Sequence, residues 1–218
     1  MNVTLPDEVL ATAEATAPPV HIRPLVDADR RAAARVYVTC LFDEEVRPIM
    51  PHHGGRAEAV FTDLIRPSAN SWVAESDGGE LVGVALCQEP GGLPPSMVSW
   101  RILRRHLPLA ATIRAWIVCR YLYKVRVGND AIYLQSLVVE EQWQRRGVGA
   151  TLVRFVCNEA SQRGYRRVTL NVVDRNEGAR RLYLRLGFRR VSAARTGLFR
   201  PLVGWGAIDS MEKTVVRS

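Results

Sequence analysis

The chain has 218 residues, of which 47% are hydrophobic and 24% are charged, with a formal net charge of +8. This length predicts one domain that buries about 70% of the surface its unfolded chain would expose, so no second domain is needed. The four cysteines lack paired spacing and a nearby histidine set, which argues against a disulfide framework and predicts reduced, buried thiols.

The apolar periodicity predicts an α/β domain over 20–218, preceded by a loose polar segment over 1–19. Asp77-Gly78-Gly79, between two strand patterns, is typical of a β-hairpin. In chain order, the predicted elements are a strand over 20–25, a helix that Asp27 caps and that extends to 42, a helix over 56–65, strands over 71–75, 81–88 and 131–139, a helix over 146–163, a strand over 167–173, a helix over 177–186, and strands over 188–195 and 206–214.

Two features before residue 60 bear on cofactors and location. His52 and His53 are adjacent in a loop rich in Pro and Gly. Because adjacent histidines suit metal chelation poorly, we predict no metal site there. The N-terminus has no basic stretch followed by an apolar core, so we predict no secretory signal and a cytoplasmic protein.

About forty residues, 89–129, separate the hairpin from the strand over 131–139, which is far more than a usual connection, so we expect them to be structured. The run over 109–125 is apolar and aromatic, but Arg114, Arg120 and Lys124 interrupt it, which excludes a membrane span. These charges do not share one helical face. A membrane-surface helix is therefore less well supported than packing against the sheet, a dimer contact or a wall of a substrate pocket.

The most informative turn has the sequence Gln144-Arg145-Arg146-Gly147-Val148-Gly149. It follows the strand over 131–139 and opens a helix, whose first backbone N–H groups have no acceptor within the helix. These groups lie at the positive end of the helix dipole, so a phosphate is a natural partner. Gly147 and Gly149 would permit unusual backbone angles and the close approach of a ligand.

Several cofactors use such a turn. A nucleotide-hydrolase loop needs Gly-Lys before Ser or Thr, and the chain has no Gly-Lys pair. A dinucleotide-binding loop needs a third spaced glycine where Thr151 and Leu152 stand, although Asp174 lies within loose range of the acidic residue it also needs. Taken alone, the turn also fits a plain structural role.

A second segment narrows the choice, because residues 176–188 read Asn-Glu-Gly-Ala-Arg-Arg-Leu-Tyr-Leu-Arg-Leu-Gly-Phe. The turn resembles the Gln/Arg-x-x-Gly-x-Gly/Ala signature of the GCN5-related N-acetyltransferases, the GNAT family. Residues 176–188 resemble that family's Asn-x-x-Ala-x-x-Leu-Tyr-x-x-x-Gly-Phe signature. The clear resemblance covers about 131–190. It implies the GNAT fold, a mixed central β-sheet flanked by helices, with 89–129 as a helical insertion between the third and fourth strands.

The resemblance also implies acetyl-coenzyme A as the acyl donor, with no metal. In this family the fourth strand carries a bulge and separates from the fifth, so backbone groups near Leu137, Val138 and Val139 would pair with the pantetheine arm. Backbone N–H groups of the turn would bind the pyrophosphate, and Asn176 would contact the cofactor. The turn residues implied are Gln144, Arg145, Arg146, Gly147, Val148, Gly149 and Ala150.

Tyr183 matches the family tyrosine whose hydroxyl lies near the thioester sulfur, which implies a general-acid role. Relatives often place a Glu or His base where this chain has Asn171, which cannot accept the proton. Others use the preceding strand, where Tyr133 or Gln135 stands, and Tyr133 could orient a water that relays the proton. The acidic run 43–45 lies in the loop where the family admits its acceptor, and it either attracts a cationic amine or is simply solvated. The base stays unassigned.

Positive charge is concentrated beside the turn. Residues 140–200 contain 14 arginines and five acidic residues, a net charge of +9, whereas residues 1–139 sum to −1. A basic chain often binds nucleic acid, but coenzyme A is itself a polyanion, and Arg145 and Arg146 at the turn are the candidates for contacting it. Because the aromatic and basic interleaving of RNA-binding sheets is missing, we predict no nucleic-acid partner.

The sequence therefore predicts an acetyl-CoA-dependent N-acetyltransferase, with a small-molecule amine favoured as acceptor over a peptide or protein. An acyl-CoA-binding protein that has lost catalysis is the alternative, and Asn171 motivates it. We predict no membrane partner. Because the family often dimerises, a homodimer is a further expectation.

Overall fold

The computed structural model describes most of the chain, and the statements below concern only that part. The acidic run 43–45, His52 and His53, and nearly all of the segment predicted to be loose lie outside it. The described residues are 19–41, 46–47, 50, 54–91, 100–122, 127–197, 200 and 204–215.

Seven strands form one sheet with the spatial order β1-β2-β3-β4-β5-β7-β6. Only β4 and β5 pair in parallel, and the other neighbours pair antiparallel. The sheet is therefore mixed, as predicted. The strands are β1 (Val20–Pro24), β2 (Ser71–Ser76), β3 (Leu81–Gln88), β4 (Ala131–Val139), β5 (Arg167–Val173), β6 (Arg189–Arg195) and β7 (Ala207–Thr214).

Helices cover both faces of this sheet. Val138 and Val84 belong to a core that is shared with α1 to α4, while Ile132 and Leu170 belong to a core shared with α5 and α6. We call these the α1 face and the α5 face. The helices are α1 (Arg30–Leu41), α2 (Ala57–Leu64), α3 (Trp100–His106), α4 (Leu109–Leu122), α5 (Val148–Gln162) and α6 (Glu177–Arg185).

The start of α1 differs from the prediction. A short 3₁₀ turn over Asp27–Asp29 precedes the helix, and the Asp29 carboxylate accepts a hydrogen bond of 2.9 Å from the Val26 N–H. Asp27 forms no such cap, so the prediction that it caps the helix is wrong. Asp29 accepts the hydrogen bond in place of Asp27, because a 3₁₀ turn precedes α1.

In the described part of the predicted insertion, two helices, α3 and α4, lie between β3 and β4. One side of α4 is buried through Thr112, Ala115, Val118 and Cys119, while Leu109, Ile113, Trp116 and Ile117 on its other side are exposed. Packing against the core thus accounts for the buried side of α4 and leaves its exposed apolar side chains without an assigned role. None of the helices in the described part of the chain combines the length and apolar character that crossing a membrane requires.

Candidate active site

The turn between β4 and α5 has the backbone geometry that its glycines predict. Gly147 is the N-cap of α5 and has φ +89°, in the left-handed region, and Arg145 two residues earlier has φ +59°. The Thr151 N–H donates to the Gly147 carbonyl at 3.0 Å, which closes the first helical turn. The N–H groups of Val148, Gly149 and Ala150 precede that bond, so they have no acceptor within the helix.

Gly149 has an ordinary helical backbone, so its need for glycine is different. A Cβ built there would lie 3.5 Å from Leu182 Cδ2 and 3.7 Å from Val139 Cγ2, both normal contacts. The protein around it would therefore accept alanine. Only the first of the two glycines is required by its backbone angle, and the second leaves room beside the helix N-terminus.

Two side chains fix the turn to its surroundings. The Gln144 side-chain amide Nε2 donates to the Val139 carbonyl at 2.9 Å, which ties the turn to the end of β4. The Arg146 guanidinium lies 6.0 Å from the centre of the Trp143 ring, at the outer limit of a cation–π contact. Arg145 and Arg146 are exposed and form no ion pair with a described residue. Both therefore keep their charge available to an anion at the turn.

Strand β4 is irregular at its centre and separates from β5 beyond it. Its register with β3 passes from Leu86 opposite Ser136 to Cys87 opposite Leu134, which leaves Gln135 as the extra residue of a bulge. It pairs with β5 through four residue pairs only, from Ala131 with Arg167 to Leu134 with Leu170. The second half of β4 thus faces a gap, as the family resemblance implied.

Alternation along β4 decides which backbone groups face that gap. The Glu140 N–H donates to the Val82 carbonyl of β3, so in this antiparallel ladder Val138 also directs its backbone groups to β3. The backbone groups of Leu137 and Val139 point the other way, towards the gap. Of the three residues predicted to pair with the pantetheine arm, Val138 therefore contributes a buried side chain to the α1-face core instead.

Three hydroxyl-bearing side chains lie on the α1 face close to β4. Tyr133 lies between Ile132 and Leu134, which belong to the α5-face core, so its side chain points to the α1 face. After the bulge, Ser136 points to the same face and its Oγ donates to the Tyr37 hydroxyl of α1 at 3.4 Å. Tyr37, Tyr133 and Ser136 are all buried.

Tyr183 lies on α6, within the α5-face core. It is 7% exposed, and its ring packs against Phe188 with centroids 5.6 Å apart. Leu182, the preceding residue, borders Gly149 at the start of α5. The structure therefore brings the second signature against the turn, on the face opposite to Tyr133.

Asn176 has a structural role that the sequence did not assign. Its Oδ1 accepts a 3.0 Å hydrogen bond from the Ala179 N–H and so caps α6. The predicted cofactor contact would involve the same side-chain amide. The capping oxygen fixes the orientation of that amide.

Several arginines near the turn form ion pairs, and Asp209, which lies outside 140–200, offsets part of their excess charge. Arg181 pairs with Glu177 at 2.9 Å, Arg180 lies 3.9 Å from Asp209, and Arg190 lies 3.4 Å from the same buried carboxylate. The net charge of +9 is thus partly structural.

Glu212 is one acidic side chain that shares a face of the sheet with Tyr133 in the described part of the chain. Glu212 lies opposite Thr169 on β5, and Thr169 lies opposite Tyr133, so the three share the α1 face. The Glu212 carboxylate is held by Arg189 at 2.8 Å and Arg167 at 3.1 Å. Hydrogen bonds from Arg189 and then Arg167 lower the pKa of Glu212. A carboxylate so stabilised is a weak proton acceptor, and Asn171 follows the last β4–β5 pair.

Cys40 at the end of α1 also contacts β4. Its Sγ donates to the Val139 carbonyl at 3.2 Å, and burial, with smaller effects of Glu140 and Glu141, raises the pKa of the thiol to about 11. The thiol therefore stays protonated near neutral pH. Within the described ranges, no group of three or more His, Cys, Asp and Glu side chains is placed to hold a metal ion.

Contacts that join distant segments of the chain are not visible in the sequence. Tyr37 and Ser136 are 99 residues apart, as are Cys40 and Val139. Only a signal at the level of residue pairs could have found them. Trp143 beside Arg146 was a local signal, because an aromatic residue three positions before an arginine at a turn can stack on it.

The site fits a long, phosphate-bearing thioester. The first N–H groups of α5 and two exposed arginines that pair with no described carboxylate lie at one end, and Gly149 leaves space beside them. The gap beyond Leu134 offers the backbone groups of Leu137 and the N–H of Val139 to an extended arm, whereas the Val139 carbonyl already accepts from Gln144 and Cys40. Tyr183 and Tyr133 lie on opposite faces of the sheet region in which that arm would end.

A family model described as the Acetyltransferase (GNAT) family matches residues 35–188. None of the curated proteins matches the sequence. Solved structures share the fold at low sequence identity. A histone acetyltransferase HPA2 and related acetyltransferase from Corynebacterium glutamicum is 20% identical, with a TM-score of 0.61, over 89% of this chain and 95% of that one.

Two further solved structures have named substrates. The ribosomal-protein-S18-alanine N-acetyltransferase from Escherichia coli is 17% identical, with a TM-score of 0.57, over 92% of this chain and 96% of that one. A phosphinothricin acetyltransferase from Sinorhizobium meliloti, in complex with AcCoA, is 13% identical, with a TM-score of 0.54, over 91% of this chain and 90% of that one. At these identities the likeness concerns the fold.

Proposed function

Because the chain belongs to the GNAT family of acetyltransferases, which transfer an acetyl group from acetyl-coenzyme A, we propose that it acetylates a primary amine of a small molecule by direct transfer. The observation that carries this proposal is the gap between β4 and β5, with the Gly147 turn at one end. That arrangement suits the donor on one face of the sheet and the acceptor on the other.

Bound acetyl-coenzyme A supplies an acetyl thioester, whose carbonyl carbon forms the new bond to the amine as its bond to sulfur breaks. In the proposed mechanism, the Tyr183 hydroxyl donates its proton to the departing sulfur. Leu137 and Val139 hold the donor arm through backbone groups, and the first-turn N–H groups of α5 bind its pyrophosphate. These contacts fix the distance between the carbonyl carbon and the amine.

The acceptor must also lose a proton, because a simple amine has a pKa of about 10.4 and is mostly protonated at neutral pH. Glu212 is engaged by two arginines, and Asn171 cannot accept a proton. We therefore propose a water-mediated route on the α1 face, with Tyr133 orienting the water. The acidic run 43–45 would attract the cationic amine.

A small acceptor is supported by the setting of Tyr133 and Ser136. Both are buried beneath α1, so a slender amine reaches them more readily than a folded protein surface does. The named substrates of the structural neighbours include histone, the S18 alanine and phosphinothricin. They span both acceptor classes, so the choice rests on the site.

The experiment is a measurement of free coenzyme A release across a panel of polyamines, antibiotics, amino acids and peptides. We expect release with at least one small amine. Tyr183→Phe should lower kcat roughly a hundredfold with little change in the Kd for acetyl-coenzyme A, since only the proton donor is removed.

Tyr165→Phe is the matched control, because Tyr165 lies outside the proposed machinery, and its turnover should equal that of the unaltered protein. Unchanged turnover in Tyr183→Phe would remove the general-acid role. If only peptides release coenzyme A, the small-molecule acceptor is wrong.

A catalytically inactive acyl-CoA-binding protein is the second candidate. The engagement of Glu212 by Arg167 and Arg189, together with Asn171, favours it. Calorimetric binding of acetyl-coenzyme A without thiol release from any amine would support this candidate. Release with any amine would exclude it. A cytoplasmic location, a homodimer, and the lack of nucleic-acid and membrane partners stay predictions.

A further inference from the structure

A second cationic cleft lies away from the cofactor turn. It has a volume of about 460 Å³ and is lined by Arg30, Asp63, Arg66, Arg101, Ile102 and Arg105. These residues come from the start of α1, the end of α2 and α3. Cys40, which contacts Val139, lies at the opposite end of α1, roughly 15 Å away at 1.5 Å per residue.

The carboxylate that lines this cleft is already engaged. Asp63 is 2.9 Å from His106 Nε2, 3.3 Å from Arg105 and 3.9 Å from Arg30. Its pKa is lowered, first by the hydrogen bond with His106 and then by Arg105. Among the lining residues, four guanidinium groups thus face one carboxylate, an excess of three positive charges.

The arginines divide into an anchored group and an unengaged group. Arg30 donates to the carbonyls of Thr62 at 2.6 Å and Ile65 at 2.8 Å, so its guanidinium is fixed at the end of α2. The guanidinium groups of Arg66 and Arg101 make no hydrogen bond or ion pair with any residue in the described part of the chain, although the Arg66 backbone carbonyl accepts a hydrogen bond from Ser71 Oγ. Their donors are available to a ligand in the cleft.

Guanidinium groups bind phosphate through two parallel hydrogen bonds, and several arginines around one cleft favour a compact anion of more than one charge. We propose that this cleft binds a phosphate group, at a second anion site separate from the coenzyme A turn. A phosphate oxygen set would satisfy Arg66 and Arg101 and offset the excess charge, while Asp63 keeps Arg105 in place.

The test is a calorimetric titration of inorganic pyrophosphate into the full chain saturated with coenzyme A, which blocks the Gly147 turn. We expect one binding event. The double variant Arg66→Gln/Arg101→Gln should raise the Kd at least about tenfold, because charge-assisted hydrogen bonds are lost. It should fold normally, since neither side chain bonds to a described residue.

Arg166→Gln/Arg195→Gln removes the same charge from two arginines outside the cleft, and its Kd should match that of the unaltered protein. Absence of pyrophosphate binding, or an equal Kd in both double variants, would overturn the proposal. Sedimentation with phosphatidylcholine vesicles, with and without phosphatidic acid, distinguishes the source of the phosphate. If the unaltered protein sediments with phosphatidic acid vesicles and the Arg66→Gln/Arg101→Gln variant does not, the ligand is a lipid headgroup. If the protein binds pyrophosphate but does not sediment with these vesicles, the ligand is a soluble phosphate compound. Both results support the site.

Discussion

The two glycines of the cofactor turn should respond differently to alanine. Gly147 has φ +89°, whereas Gly149 lies within α5, where an added Cβ would meet its nearest neighbours at 3.5 and 3.7 Å, both normal contacts. We expect Gly147→Ala to lower the free energy of unfolding and Gly149→Ala to leave it equal or slightly higher.

The magnitude follows from a comparison of the two variants. Each replaces glycine by alanine, so each gains about 0.4–1 kcal/mol from a less flexible unfolded chain, and this term cancels in the difference. What remains is the cost of a Cβ in the left-handed region at Gly147, about 1–2 kcal/mol. Gly149→Ala should therefore be more stable than Gly147→Ala by about that amount.

Urea unfolding at neutral pH, with the slope compared among the proteins, measures this difference directly. The slopes should be equal, because neither substitution alters the surface that is exposed on unfolding. Equal free energies for the two variants, or a less stable Gly149→Ala, would refute the assignment of the left-handed angle to Gly147.

Three further outcomes are expected. Asn176→Ala should lose about 1 kcal/mol of stability, because the cap of α6 is removed. Asn176→Ser should keep this stability but bind coenzyme A more weakly. Equal coenzyme A binding by both variants and the unaltered protein would contradict the predicted cofactor contact. Because the pKa of Glu212 is lowered in the folded protein, its carboxylate stabilises the fold above the usual pKa of 4.5, and this stability is lost as pH falls through the folded pKa. The free energy of unfolding in urea should therefore change less between pH 7 and acidic pH for Glu212→Gln than for the unaltered protein. An equal change in the two proteins would contradict this. Because burial raises the pKa of the Cys40 thiol to about 11, the rate of its alkylation, followed by mass spectrometry, should keep rising between roughly pH 9 and 11. A plateau of this rate near pH 9 would contradict the raised pKa.

The central elements were predicted well because their signals are local. The observed bounds of β4 and β5 equal the predicted 131–139 and 167–173, since both strands are continuous apolar or alternating runs bounded by turn residues. The predicted helix over 146–163 begins two residues later, at Val148. Arg145 and Gly147 have left-handed backbone angles, so the helix cannot begin before Val148.

Features that depend on distant partners could not be predicted. The bulge at Gln135 follows from the register with β3, and no residue type in β4 marks it. The ion pairs of Arg167 connect Asp130, 37 positions earlier, with Glu212, 45 positions later. Composition counts such charges without showing which are neutralised, so it overstates the free positive charge beside the turn.

The four residue pairs between β4 and β5 also make the sheet two smaller sheets joined along a short seam. Strands β1 to β4 form one antiparallel unit, and β5, β7 and β6 form the other. Acetyl-coenzyme A that hydrogen-bonds to β4 in the gap would stabilise this junction reversibly. Hydrogen exchange of the backbone amides along the unpaired half of β4 would then slow as the coenzyme A concentration rises. The rigidity of the sheet would therefore depend on the concentration of the cosubstrate.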